Sequence, residues 1–328
     1  MSLTFDVAAI GNAIVDVIAP AEDSFLVDNQ LAKGAMTLID EAQAEALYER
    51  MAAGLETSGG SAGNTVAGVA SFGGRAAYLG KVADDQLGQV FAHDTRAIGV
   101  HFETAPLVGG PATGRSLINV TPDGQRTMCT FLGASNQLSA ADIDPAVIEG
   151  AAIVYLEGYL FDPSEARRAF AKAAGLARAS ARMIAITLSD AFVVERHRRA
   201  LLEFIETEVD LVFANEAEIT SLYEVPSFDD AGRPPNFARQ YDAVGGDHRL
   251  TGDAGVRIGG EEGVDHLVGN AVGHLVRVAL RNAFAGEQVA LAAAHAACPW
   301  AFWGASSRTP ASPLAAARSA SRASGRGP

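Results

Sequence analysis

In the second half of residues 1–225, short apolar runs alternate with longer segments of helix-forming residues. Each run has only four or five residues, which favours a buried strand over a buried helix. The predicted strands are 153–156, 183–187 and 210–213, and the predicted helices are 164–179, 193–205 and 216–223. Strands that alternate with helices predict parallel βαβ units, with helices covering both faces of a mostly parallel sheet.

The first half of the chain predicts a different arrangement. A buried strand at 5–10 ends in a sharp turn at Gly11-Asn12, and a β-hairpin turns at 122–125. Further predicted strands are 14–18, 36–39, 76–80, 116–121 and 126–132; predicted helices are 41–51, with Asp40 as N-cap, and 86–98. These elements predict a second, small sheet that could cover a site as a lid, formed by about 12–40 and 112–133.

Composition limits the functional classes. The chain has 328 residues, is 48% hydrophobic and carries a formal net charge of -14, which argues against nucleic acid as a partner. No apolar stretch approaches the ~20 residues of a membrane span, and the N-terminus does not resemble a secretory signal. Cys129 and Cys298 are far apart in sequence, so we expect a reduced, cytoplasmic protein, although a disulfide stays open.

The pattern of apolar runs changes near Pro226. Beyond it the strand-like runs weaken, and the C-terminal third, 226–328, is atypical for an α/β protein. Its end, 305–328, is rich in Ala, Ser, Arg and Gly and predicts a disordered tail.

Asn12 and Asp16 are the first candidate site residues. Asp16 interrupts an apolar run, where a charge is costly unless it is paired or hydrogen-bonded. Its carboxylate could accept hydrogen bonds from ligand hydroxyls. The alternative is a turn asparagine followed by an edge-strand aspartate that faces water.

A glycine-rich turn is predicted over 58–65, before the segment 66–71. Gly59 and Gly60 permit close contact between the backbone and a polar ligand, and Asn64 offers both a donor and an acceptor. The pattern is neither a dinucleotide fingerprint nor a P-loop. An ordinary capped helix entry is the alternative.

Asn215 and Glu218 directly follow the predicted strand 210–213, at the sheet edge where open α/β sheets bind ligands. Together they could hold a hydrated Mg²⁺ near phosphates, because Mg²⁺ keeps several waters. Alternatively they form a capping box at the start of the next helix.

Six stretches follow one another in a characteristic order: Gly11–Asp16, Gly59–Thr65, Gly80–Gly88, Glu157–Tyr159, Leu188–Phe192 and Phe213–Glu218. Together they resemble the PfkB-type carbohydrate kinase family over residues 5–225. Within that family the chain looks most like the adenosine kinase branch.

The resemblance implies a ribokinase-like, three-layer α/β domain with a β-lid, and transfer of the γ-phosphoryl group of ATP to a nucleoside or sugar hydroxyl. ATP and Mg²⁺ are the implied cofactors, and a monomer or a homodimer is compatible with it. The implied roles are substrate binding for Asn12, Asp16, Gly59, Gly60 and Asn64, phosphate contact for Arg126, and Mg²⁺ and phosphate organisation, through water, for Asn215 and Glu218.

One departure from the family pattern affects catalysis. The Asp-Thr-x-Gly-Ala-Gly-Asp motif, whose last aspartate is the family's base, is absent from this sequence. Residues 251–255, Thr-Gly-Asp-Ala-Gly, have similar letters in another order, so Asp253 is the sole candidate base and we interpret it as a chance match. The C-terminal third is either divergent or the product of a reading-frame disruption near 227–231.

Two functional classes follow. The resemblance implies an ATP-dependent kinase of adenosine kinase type, or alternatively a ribose- or fructose-type sugar kinase, and the missing motif leaves open whether the chain is active. Alternatively, it is a non-catalytic protein that binds a nucleoside or sugar.

Overall fold

We analysed a computed structural model that describes residues 3–226. The expectations for 227–328, including the C-terminal third, Asp253, Cys298 and the tail, lie outside the described residues.

Residues 3–226 form ten strands and eight α-helices. The strands are β1 Phe5–Ile10, β2 Ile14–Pro20, β3 Met36–Leu38, β4 Leu55–Gly59, β5 Ala76–Leu79, β6 Gly114–Val120, β7 Arg126–Phe131, β8 Ala151–Glu157, β9 Met183–Thr187 and β10 Leu211–Phe213. The helices are α1 Asp23–Asp28, α2 Glu41–Tyr48, α3 Ser61–Ser71, α4 Gln86–Ala97, α5 Pro145–Gly150, α6 Ser164–Ala179, α7 Ala191–Glu208 and α8 Glu216–Tyr223.

The central sheet has five parallel strands in the order β10-β9-β8-β1-β5. Alternate residues of each strand enter two separate cores, as the pleat of a strand requires. Ala8 and Ile10 of β1 pack with α5, α6, α7 and α8, whereas Val7 and Ala9 pack with α3 and α4. The predicted three-layer α/β fold with a mostly parallel sheet is therefore confirmed.

A second five-stranded sheet lies beside the first and has the order β3-β7-β6-β2-β4. It is mixed: β2 pairs antiparallel with β4 and parallel with β6, and β6 and β7 form the expected antiparallel hairpin. We call this sheet the lid sheet. Its edge strand β4 lies outside the segments 12–40 and 112–133 that the sequence predicted for it.

Two local predictions are wrong in detail. The hairpin turn begins one residue earlier than expected: Gly124 N–H donates to the Thr121 carbonyl, and Gly124 has φ +83°. The glycine-rich turn does not extend over 58–65, because Gly60 with φ +83° makes the reversal alone and α3 already starts at Ser61. The predicted N-cap Asp40 is confirmed and forms a capping box with Gln43.

Across residues 3–226, none of the helices combines the length and the apolar character that crossing a membrane requires.

Candidate functional site

Most of the candidate residues cluster at the carboxyl end of the central sheet. The chain passes from β1 to β5 on one side and later returns to β8 on the other side of β1. Open α/β sheets bind ligands outside the carboxyl ends of the strands at such a reversal, which here are the ends of β1 and β8. Asn12 follows β1, Glu157 ends β8 and Asn215 follows β10. The sheet order thus places these residues at the same edge of the sheet, and it brings Asn12 into contact with Glu157, 145 positions away.

Asp16 belongs to a polar row that crosses the lid sheet. Its neighbours Val15 and Val17 are buried in the core, so the Asp16 side chain lies on the opposite face. In register with it are Thr57 of β4 and Ser116 of β6, and Ser116 in turn pairs with Thr130 of β7. The hydroxyls of Ser116 and Thr130 are 3.0 Å apart. This face therefore carries a carboxylate flanked by hydroxyl groups.

The next row on the same face is apolar and partly exposed. Same-face residues two positions apart lie ~7 Å from each other along a strand. Met36 and Leu55, at the two edges of the row, are 38% and 57% exposed. In register order the row is Leu55, Ile18, Ile118, Met128 and Met36. A ligand that contacts both rows needs a polar end and an apolar end.

Gly59 lies close to the Asp16 carboxylate, and Gly60 lies close to the backbone carbonyl of Asn12. A Cβ atom at position 59 would lie 2.2 Å from the Asp16 carboxylate. At position 60 it would lie 2.5 Å from the Asn12 carbonyl oxygen, and φ of +83° there is a conformation that only glycine adopts readily. Both glycines are thus required by close contact within the protein, whereas the sequence suggested close contact with a ligand.

Asn12 is fully buried and hydrogen-bonded to Glu157. Both its backbone N–H and its Nδ2 donate to Glu157 Oε1, at 3.2 and 3.0 Å. Its Oδ1 is buried and has no hydrogen-bond partner among residues 3–226. Asn12 therefore presents an unsatisfied acceptor, which a hydroxyl group could complete.

Asn64 lies apart from this arrangement. It is exposed in the first turn of α3, and its N–H donates to the Gly60 carbonyl at 2.8 Å. Within residues 3–226 its side chain forms no hydrogen bond with Asp16 or Asn12, so its role in binding stays a prediction.

Two of the candidate carboxyls and Glu157 have raised pKa values. Burial raises the pKa of Asp16 to about 7, against the opposing effect of the positive charge of Arg126. Burial raises the pKa of Glu157 to about 7, although three hydrogen bonds favour its charged form. The half-buried Arg126 begins β7 and lies on the same face as Thr130. It is close enough to Asp16 for its positive charge to lower the pKa of that carboxyl.

Asn215 and Glu218 form the capping box that was one of their two alternatives. Glu218 N–H donates to Asn215 Oδ1 at 2.8 Å, and Asn215 donates through N–H and Nδ2 to the two Glu218 oxygens. Glu218 is 5% exposed; burial and the charge of Asp190 raise its pKa to about 7, against a backbone hydrogen bond from Asn215. A second carboxylate, Asp190, is thus close enough to repel it.

Sequence reasoning missed Glu157 and Asp190 as members of the site. Both lie in motifs that carried the family resemblance, Glu157–Tyr159 and Leu188–Phe192, and that was the only available signal. Within the described part of the chain, no cluster of three or more His, Cys, Asp or Glu residues is arranged to bind a metal directly.

Comparison with known proteins identifies the family to which the sequence is similar. The profile of the pfkB family of carbohydrate kinases matches residues 5–233. Among curated proteins, the guanosine-inosine kinase of Escherichia coli K12 is 28% identical over 229 residues, which cover 66% of this chain and 52% of that protein. The chain spans about half the length of such curated relatives.

Solved structures give higher identities. The adenosine kinase from Sinorhizobium meliloti is 45% identical, with a TM-score of 0.72 and coverage of 84% of this chain and 88% of that one. A probable sugar kinase from Rhizobium etli CFN 42 is 50% identical, with a TM-score of 0.66 and 70% coverage of each chain.

Proposed function

Because the chain belongs to the pfkB family of carbohydrate kinases, we propose that it binds a nucleoside and acts as an ATP-dependent nucleoside kinase of the adenosine kinase type. The observation that carries the proposal is the pair of rows on the lid sheet, one polar around Asp16 and one apolar beside it. A ribose ring with its hydroxyls matches the first row, and a purine base matches the second.

The apolar row favours a nucleoside over a simple sugar. A fructose or ribose molecule carries hydroxyls on nearly every carbon and would leave Met36 and Leu55 exposed to water. Exposed apolar surface beside a polar group is typical of sites that take an amphipathic ligand. The similarity to a bacterial adenosine kinase supports the same choice.

In this proposal Asp16 accepts hydrogen bonds from two adjacent ribose hydroxyls, and the free Oδ1 of Asn12 accepts a third. Gly59 leaves room for the Asp16 carboxylate in this position, where a side chain at residue 59 would displace it, and a fixed position of the carboxylate would orient the sugar. Orientation is the main contribution that a protein makes to phosphoryl transfer, together with neutralisation of charge. Arg126, on the same sheet face, supplies a positive charge for the transferred phosphoryl group.

The residues at β9 and β10 fit a Mg²⁺–nucleotide complex held through water. Each Glu218 oxygen accepts only one hydrogen bond from Asn215 and keeps a further acceptor position. Asp190 adds a second negative charge. Mg²⁺ would neutralise phosphate charge, and Asn215 and Glu218 would orient its waters. The family motif that supplies the base for the accepting hydroxyl is absent from this sequence, and no base is assigned to the chance match at Asp253.

Release of ADP tests the proposal. The full chain is incubated with ATP and Mg²⁺ and with adenosine, guanosine, ribose or fructose, one at a time, and ADP formation is followed in a coupled assay. We expect release with a nucleoside and little with either sugar. Turnover of fructose alone would overturn the choice of acceptor.

A second candidate is a nucleoside-binding protein without kinase activity. The observation that favours it is the absence of an Asp-Thr-x-Gly-Ala-Gly-Asp motif from the sequence. Calorimetry with adenosine separates the two: saturable binding without ADP release supports the binding protein, and binding with release supports the kinase.

A further inference from the structure

One buried carboxylate, Glu157, accepts hydrogen bonds from two connections between the central sheet and the lid sheet. One connection leads from β1 to β2, and the other leads from β4 into α3. Glu157 is 1% exposed at the end of β8. Its Oε1 accepts from Asn12, which lies between β1 and β2, and its Oε2 accepts from Ala62 N–H at 2.8 Å, just after the Gly59-Gly60 turn that leads from β4 into α3. These partners are 145 and 95 residues away from Glu157 in the sequence.

The packing around Glu157 leaves it little freedom. A Cβ atom on Gly11 would lie 2.6 Å from Glu157 Oε2 and 2.5 Å from the Ala62 side chain. The carboxylate therefore fills the space between the end of β1 and the first turn of α3. Its negative charge also faces the N-terminal end of α3, where helix N–H groups favour an anion.

Glu157 also decides which atom Asn12 offers to a ligand. Because Nδ2 is committed to Glu157 Oε1, the amide is oriented with Oδ1 away from the carboxylate. An asparagine without this partner could turn its amide over and present a donor instead.

We propose that Glu157 is a positioning residue of the acceptor site, which orients the Asn12 amide as an acceptor and holds the Gly59-Gly60 turn against Asp16. Glu157 does this without contacting the nucleoside. The proposal rests on the proposed nucleoside-binding function.

The test is Glu157→Gln, measured by calorimetric titration of adenosine and by amide hydrogen exchange of the ligand-free protein. A glutamine cannot accept from both Asn12 and Ala62 without directing its own NH₂ group at a donor. We expect adenosine affinity to fall ten- to a hundredfold. We also expect the Asn12 and Ala62 amides to exchange at least tenfold faster, while those of β9 stay protected.

Two further variants separate positioning from general stability. Asp6→Asn removes a carboxylate at the opposite end of β1, where Asp6 accepts from Arg75; it should lower the melting temperature and leave adenosine affinity unchanged. The exchanged pair Asn12→Asp with Glu157→Gln restores an acceptor toward the ligand and should recover part of the affinity.

The outcomes distinguish the two proposals. If the folded wild-type protein binds no nucleoside, the proposed function fails, and the exchange data still decide the positioning role. Wild-type adenosine affinity in Glu157→Gln would overturn that role, as would unchanged exchange at Asn12 and Ala62. A loss of affinity in Asp6→Asn as large as that in Glu157→Gln would also overturn it.

Discussion

Substitution of Gly59 by alanine gives a sharp test of the acceptor site, since its effect can be worked out from one contact. The new Cβ atom would lie 2.2 Å from Cγ and Oδ2 of Asp16, and real Cβ contacts below 3.0 Å essentially do not occur. The carboxylate must therefore move by at least 0.8 Å (3.0 minus 2.2 Å). Overpacking of this kind costs about 1–3 kcal/mol, and a misplacement of about 1 Å can reduce function about a hundredfold.

We expect Gly59→Ala to bind adenosine about ten- to a hundredfold more weakly than the wild type in calorimetric titration. The matched control is Gly175→Ala in α6, where an added Cβ meets nothing within 4 Å. That variant should gain about 0.5–1 kcal/mol of stability, as glycine-to-alanine changes inside helices do, and keep its affinity. Equal affinity of folded Gly59→Ala and wild type would refute the account of the Asp16–Gly59 contact.

Three other predictions follow from the site. Ionised Asp16 is the stronger acceptor and its pKa is about 7, so adenosine affinity should rise roughly tenfold from pH 6 to pH 8 in titrations. Asp16→Asn should reduce that rise to the part contributed by Glu157, whose pKa is also about 7. Met36→Ser removes apolar contact from an exposed position and should weaken adenosine binding about fivefold without affecting ribose; equal effects on both ligands would contradict the apolar row. The pKa of Glu218 is raised from 4.5 to about 7, so the folded chain keeps this proton to a higher pH than the unfolded chain, and its contribution to stability falls as pH rises through that window. Urea unfolding should therefore show a smaller loss of stability between pH 5 and pH 8 in Glu218→Gln than in the wild type, by about 2–3 kcal/mol. An unchanged loss would contradict the raised pKa.

The central sheet could be predicted because its signals are local. Strands such as β8 and β9 are short apolar runs, and helices such as α6 follow them directly, so periodicity suffices. The edge strand β4 could not be predicted in this way. Its sequence, Leu-Glu-Thr-Ser-Gly, has little apolar character, and it forms a strand because its backbone pairs with β2. Such pairing depends on tertiary context, which overrides local preference.

The site residues also differ in whether a local sequence pattern could identify them. Asp16 could be predicted because a charge in an apolar run is unusual. The Asn215–Glu218 pair could be predicted because its spacing suits both a helix cap and a metal site. Glu157 also ends an apolar run, yet its role depends on partners 95 and 145 residues away. No local pattern encodes contacts of that range, so only the fold could reveal that Glu157 connects Asn12 to α3.

The central claim is that the lid face around Asp16 binds a nucleoside. Calorimetric titration of adenosine into the full chain at pH 8, wild type beside Asp16→Asn, tests it most directly. The account predicts saturable binding at one site in the wild type and a loss of at least tenfold in affinity in the variant. No binding by the folded wild type, or equal binding by both proteins, would contradict it.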